Sequence, residues 1–160
     1  MKRLSLLLPI CLLLFSCAGS DTSPDPHAAA RAVIAACEGE IDFSCADADF
    51  IATNLSDLQG AEKAAVYYGT SNNGTEIGFF LLSDASDIPS AMAAIRRYIG
   101  DERRQTSALA ELYPGNELTE RIARYDHAIV DRCCNLVYYI IADPHVLQQA
   151  SDALRTLGTE

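Results

Sequence analysis

Two pairs of β-rich runs, each closed by a tight turn and separated by a long helical pattern, constrain this chain most. The first pair is Ala64 to Gly69 (AAVYYG) and Thr75 to Leu82 (TEIGFFLL). The segment between them ends in Asn73-Gly74, and Asn-Gly supplies the positive φ angles that two-residue hairpin turns require. The second pair is Ala128 to Arg132 and Leu136 to Ala142, joined through Cys133-Cys134-Asn135. Between the pairs, Ile88, Met92, Ile95, Ile99, Thr106, Leu109 and Tyr113 recur near the helical period. Ser83 to Asp87 offers N-capping side chains for that helix, and Gly100 is expected to weaken or bend it. Pro114-Gly115 ends it, and Glu117 to Tyr125 predicts a further short helix.

The flanks are helical as well. His27 to Cys37 (HAAARAVIAAC) is Ala-rich, with Val33, Ile34 and Cys37 on one side. Glu38 to Asp49 reads as an acidic loop leading to a short helix near Asp49 to Leu55. At the C-terminus Asp143 suits an N-cap and Pro144 the first helical position. There Leu147, Ala150, Leu154 and Leu157 form the apolar stripe, and Gly158 the stop. The whole predicts one α+β domain over residues 27–160. Its antiparallel sheet is made of two β-hairpins, with a long helix between them and a C-terminal helix after them, the sheet being covered on one face. The order of the hairpins in the sheet is open.

What precedes residue 27 is of another kind. Lys2 and Arg3 lead into a nearly unbroken apolar run from Leu4 to Phe15. A membrane-spanning helix needs about 20 apolar residues, so this run fits the core of an export signal instead. It ends Leu14-Phe15-Ser16-Cys17, which resembles a bacterial lipobox: an aliphatic residue, a spacer, a small residue and a Cys. In that chemistry the Cys17 thiol takes a diacylglycerol group and a peptidase cuts after Ser16. Residues 1–16 are thus expected to be a lipoprotein signal peptide, and residues 17–26 the lipidated Cys and a flexible polar tether. Two acyl chains suffice for stable anchoring. The expected location is the cell membrane, lipid-anchored on its extracytoplasmic face.

The formal charge of the 160 residues is −10. Loss of Lys2 and Arg3 with the signal leaves ten basic residues against 22 acids, hence −12. Such a domain is a poor partner for nucleic acid, whose phosphates need Lys and Arg. It is also repelled by an anionic membrane surface, so the lipid is the expected membrane contact. The chain has no Trp and three His, which gives no obvious aromatic cage or histidine-rich metal site.

Few motifs carry chemistry. No Cys-x-x-Cys, P-loop, Gly-x-Gly-x-x-Gly or Gly-x-Ser-x-Gly is present. His27, His127 and His145 share no ligand spacing, and Asp47-x-Asp49 lacks the Gly and terminal Glu of a calcium loop. No metal and no cofactor is expected. Cys37 and Cys45 are candidate disulfide partners in an exported domain. Adjacent Cys133 and Cys134 cannot readily bridge each other. Arg96, Arg97, Arg103 and Arg104 lie seven apart in pairs on the long helix, a candidate anion-binding stripe or a row paired with acids such as Asp101, Glu102 and Glu111.

Several segments together resemble a known family. They are Tyr68-Gly69, Glu76-Ile77-Gly78-Phe79-Phe80 entering a Ser/Asp-capped helix, Arg104-Gln105, Tyr113-Pro114, Ala128-Ile129-Val130, and Asn135-Leu136-Val137-Tyr138 running to Ala142-Asp143. Over about Lys63 to Leu154 they resemble the small bacterial lipoproteins grouped as domain of unknown function 4358, common in Gram-positive anaerobes of the clostridial type. Cys133-Cys134 stands where a Lys-Gly-like turn is usual. The resemblance implies a lipid-anchored envelope domain with no known activity, and the one functional residue it carries over is Cys17. The expected function is a non-catalytic accessory or binding lipoprotein. The alternatives are an envelope enzyme whose site assembles from scattered acidic and Arg residues, and a thiol-redox module.

Overall fold

A computed structural model describes residues 23–37, 41–71 and 74–157. The signal peptide, Ser16, Cys17, Asn73 of the hairpin turn and the stop residue Gly158 lie outside the described residues.

Helix α1 (Pro26–Ala36) is opened by Asp25, whose carboxylate accepts from the backbone N–H of His27 and Ala28 at 3.1 and 3.3 Å. Strand β1 (Phe43–Cys45) and helix α2 (Ala48–Asn54) follow, and Asp47 caps α2 by accepting from Phe50 N–H at 2.7 Å. Strands β2 (Ala61–Gly69) and β3 (Glu76–Leu82) form the first hairpin. A single 3₁₀ turn (Ala85–Asp87), capped by Asp84, leads into α3 (Ile88–Leu112). Then come α4 (Asn116–Asp126), the hairpin of β4 (Ile129–Cys133) and β5 (Leu136–Ile141), and α5 (Pro144–Leu157).

The five strands make one antiparallel sheet in the order β1-β2-β3-β5-β4, so β3 is central and the two hairpins meet along β3 and β5. The α+β class and the two-hairpin sheet are as the patterning predicts. Strand β1 is not, because three residues in an acidic segment are too few to show a period. The helix α3 runs unbroken through Gly100.

One expectation is corrected: both faces of the sheet are covered. On one face Ile77, Phe79, Leu136 and Ile140 pack under α1 and α5, against Val33 and Ala150 among others. On the other, Val66, Phe80, Val137 and Ile141 pack under α2 and α3, against Ile95 and Ile99. The reason lies in the strands themselves. GFFLL in β3 and LVYYII in β5 are continuous apolar runs, and a strand with one solvated face alternates instead.

The sheet has two poles. Ser23, where the described chain begins, sits at the β4–β5 turn, its Oγ accepting from Asn135 N–H at 3.0 Å. Nearby on the same pole, Leu82 N–H donates to the Asn135 carbonyl and Ser83 N–H to Gly60. Glu76 lies at the far end of β3, seven residues long and hence about 20 Å from that pole. Among the described residues no helix is long and apolar enough to cross a membrane.

Candidate functional site

At the Glu76 pole the second sheet face does not close on apolar contacts. Three helices each send two residues four apart, one helical turn, toward the end of β3. From α2 come Phe50 and Asn54, from α3 Tyr98 and Glu102, and from α4 Arg121 and Tyr125. They and Tyr68 of β2 enclose a cavity of about 230 Å³ beside Glu76.

Glu76 sits where it does because of the β3–β5 register. Gly78 is directly opposite Tyr139, and the fully buried Tyr139 ring lies across it. A Cβ on Gly78 would come within 2.2 Å of Tyr139 Cε1. Lying flat over this glycine, Tyr139 carries its hydroxyl along the same face to Glu76, where it donates to Oε1. From α3, Tyr98 donates to Glu76 at 3.1 Å from Oε1 and 3.0 Å from Oε2. The Tyr98 and Tyr139 rings meet edge to face at 6.0 Å.

Burial disfavours the charged form of a carboxyl group. At Glu76 that effect outweighs the two tyrosine hydrogen bonds, and with the negative Glu102 nearby the carboxyl is pushed up from 4.5 to about 7. Burial likewise raises Glu102, opposed by Arg121 and reinforced by Asp101. Tyr98, Tyr125 and Tyr139 are all pushed up, first by burial and then by neighbouring carboxylates, so their hydroxyls remain protonated donors. Arg121 stands beside Glu102 and packs its stem over Gly74, where a Cβ would meet Arg121 Cγ at 2.8 Å. The arrangement places one carboxyl near its midpoint at neutral pH, a second carboxylate under the influence of the Arg121 charge, and four aromatic rings around a small hollow.

A larger groove of about 600 Å³ runs between α2 and β2. Its walls are apolar, including Ile51, Leu55, Ala64 and Phe80, with Glu62 and Lys63 as its charged residues. It holds no convergent set of polar groups of the kind that orients a small ligand.

The residues singled out in the sequence lie elsewhere. The four arginines of α3 are not gathered into one patch. Arg97 pairs with Asp57 at 3.2 Å, Arg103 with Asp126 at 2.5 Å, and Arg104 with Asp101. Arg96 flanks a hollow beside Arg132 of β4. Cys37 is buried in the core under α1, whereas Cys45 is exposed on β1 with a free thiol donating to the Ala46 carbonyl. The two are not bridged. Cys133 ends β4, and burial followed by the neighbouring Cys134 pushes its thiol up, away from thiolate character. Cys134 occupies the turn with φ of 52°. His27 Nδ1 lies 3.2 Å from the Tyr67 hydroxyl. Asp143, expected to cap α5, accepts from Arg124 Nε and Nη2 at 2.9 and 3.1 Å. Among the described residues no group of three or more His, Cys, Asp or Glu is placed to hold a metal ion.

The absence of Trp had argued against an aromatic enclosure, yet Phe50, Tyr68, Tyr98 and Tyr125 build one. Its trace in the sequence is three pairs of aromatic, polar or charged residues at spacing four: Phe50/Asn54, Tyr98/Glu102 and Arg121/Tyr125. Comparison with protein families, with curated proteins and with solved structures returns no match for this chain.

Proposed function

We propose that this protein is a lipid-anchored, extracytoplasmic domain of a bacterial cell envelope that binds a small polar ligand in the cavity beside Glu76. The observation that carries the binding role is the ionisable Glu76 carboxyl, held by Tyr98 and Tyr139 at the end of the central strand. The anchored part of the reading is supported by the lipobox at Cys17 and by the resemblance to envelope lipoproteins. Five residues lie between Cys17 and Ser23, so the six Cα–Cα steps reach about 20 Å. Ser23 is held at the Asn135 pole, the end of the sheet opposite the cavity.

Cys17→Ala in the native host tests the anchor. The variant loses both acyl labelling and membrane fractionation, and a variant that stays in the membrane fraction overturns it. A second reading, an envelope enzyme, is favoured by one observation. A carboxyl near 7 suits general acid–base work at neutral pH. Both Glu76 oxygens already accept from tyrosine hydroxyls, which fits a held charge better than a group free to approach a substrate. Incubation with envelope extract separates the two. Retention of an unchanged compound supports binding, and its conversion, abolished in Glu76→Gln, supports catalysis. For the thiol-redox reading, burial pushes the Cys133 thiol up, which counts against Cys133 as the reactive thiol.

A further inference from the structure

We infer that the ligand of the Glu76 cavity is a small organic cation, an ammonium or guanidinium group held against the Glu76 carboxylate between aromatic rings. The inference rests on the cavity being a binding site and concerns the class of ligand it takes.

Charge is the first argument. The lining carries two carboxyl groups, Glu76 and Glu102, and one cation, Arg121. The Arg121 charge favours ionised Glu102, whereas the groups that act on the Glu76 charge are Tyr139, Tyr98 and Glu102, with no cation among them. An anion entering here would face that charge in a partly desolvated space, where repulsion is several-fold stronger than in water. A monovalent cation balances it.

Hydrogen-bonding capacity is the second. Tyr98 and Tyr139 already direct their hydroxyls to Glu76, so those donors are committed. A carboxylate offers about four lone-pair sites, and the two tyrosines leave acceptor capacity for an N–H donor. The walls are the third argument. Phe50 and Tyr68 stand with ring centroids 6.4 Å apart, and Tyr98 and Tyr125 line the other sides. Aromatic rings attract cations, more strongly where water is partly excluded. About 230 Å³ is the volume of roughly seven or eight waters, which limits the guest to a small molecule. A hard metal ion would need six or more oxygen ligands, and the lining supplies two carboxyl groups.

Binding is then coupled to a proton. Glu76 is faced by Tyr98 and Glu102 from α3, Tyr139 from β5, Arg121 and Tyr125 from α4, and Tyr68 from β2, while α2 contributes the uncharged Phe50 and Asn54. Tyr98, Tyr125 and Tyr139 are pushed up and keep their protons, so Glu76 governs the response near neutrality, with Glu102 raised in the same sense. A cation binds the ionised form and displaces the proton.

The test is titration calorimetry of the full chain in detergent at pH 6 and pH 8, with methylammonium, guanidinium and tetramethylammonium chlorides. Sodium acetate, sodium chloride and calcium chloride serve as the anionic and inorganic probes. The expected result is binding of at least one organic cation, about tenfold weaker at pH 6 than at pH 8, with proton release, and its loss in Glu76→Gln at unchanged or raised melting temperature. Tighter binding of acetate or calcium overturns the organic-cation class and leaves the cavity as a binding site. Cation binding that survives Glu76→Gln, or that is equal at both pH values, overturns the assignment to Glu76. If no probe binds and none perturbs the aromatic resonances of Tyr98 and Tyr125, the binding role of the cavity falls with it.

Discussion

Replacing Glu76 by Gln makes the protein more stable, and by an amount that depends on pH. Gln keeps the shape of Glu, and its carbonyl still accepts from Tyr98 and Tyr139. What disappears is the charge. In the unfolded chain Glu76 titrates near 4.5 and in the folded protein near 7. Below about pH 4.5 the group is protonated in both states and adds nothing to the pH dependence. As pH rises from there, the unfolded chain releases its proton first, and each unit lowers folding stability by about 1.4 kcal/mol. Above about 7 both states are ionised and the penalty is complete.

The 2.5-unit separation sets an upper value of about 3.4 kcal/mol. Glu76 keeps partial access to water through the cavity mouth, which brings the expected figure to about 2–3 kcal/mol. Urea unfolding of wild type and Glu76→Gln at pH 8 and pH 5 measures it. The variant should be more stable by about 2–3 kcal/mol at pH 8 and by less than about 1 kcal/mol at pH 5. The other acids of this strongly acidic domain titrate in both proteins and cancel in the difference. A variant less stable than wild type at pH 8, or a difference independent of pH, refutes the reasoning: it would mean that the tyrosine hydrogen bonds hold the carboxylate more strongly than burial disfavours it.

Three further changes test the backbone that positions this site. Gly78→Ala puts a Cβ 2.2 Å from Tyr139 Cε1, in a ring that is fully buried. It should cost about 1–3 kcal/mol in a urea titration and weaken any Glu76-dependent ligand binding, because Tyr139 must shift. Gly100→Ala meets nothing within 4 Å in the middle of α3, so thermal unfolding should show a gain of about 0.5–1 kcal/mol. Cys134 holds φ of 52° in the β4–β5 turn. Cys134→Gly should therefore stabilise by about 1 kcal/mol, read by the same unfolding assay with wild type held reduced.

The fold was legible where local chemistry and period agreed. Gly74, with φ of +78°, lies in the β2–β3 connection where Asn-Gly predicted a turn. The caps before α2 and the 3₁₀ turn are aspartates, and the apolar repeat of α3 survives Gly100. Coverage of both sheet faces was also written in β3 and β5, as apolar runs without alternation. The site was not legible, because it depends on pairings between segments remote in sequence. Glu76 reads as the polar start of a β-rich run until β5 brings Tyr139 over Gly78, 61 positions earlier. The arginine pairs show the converse. Their spacing of seven is real on α3, yet Arg97 and Arg103 find acids on different elements, Asp57 and Asp126.

The cost of Glu76 bears on what it is for. A domain of this size is stable by about 5–15 kcal/mol, and about 2–3 kcal/mol of that is forgone at pH 8 by one carboxyl group. Gln would accept from the same two hydroxyls at almost the same volume, so neither packing nor hydrogen bonding requires Glu at this position. The properties Gln lacks are a negative charge and a proton that titrates near neutrality. Within the protein the two tyrosine hydrogen bonds favour the charge less than burial disfavours it, and no cation acts on it. On the proposed cation-binding reading, a charge that weakens the free protein gains a stabilising partner when a cation enters, and the same carboxyl near 7 makes that entry depend on pH.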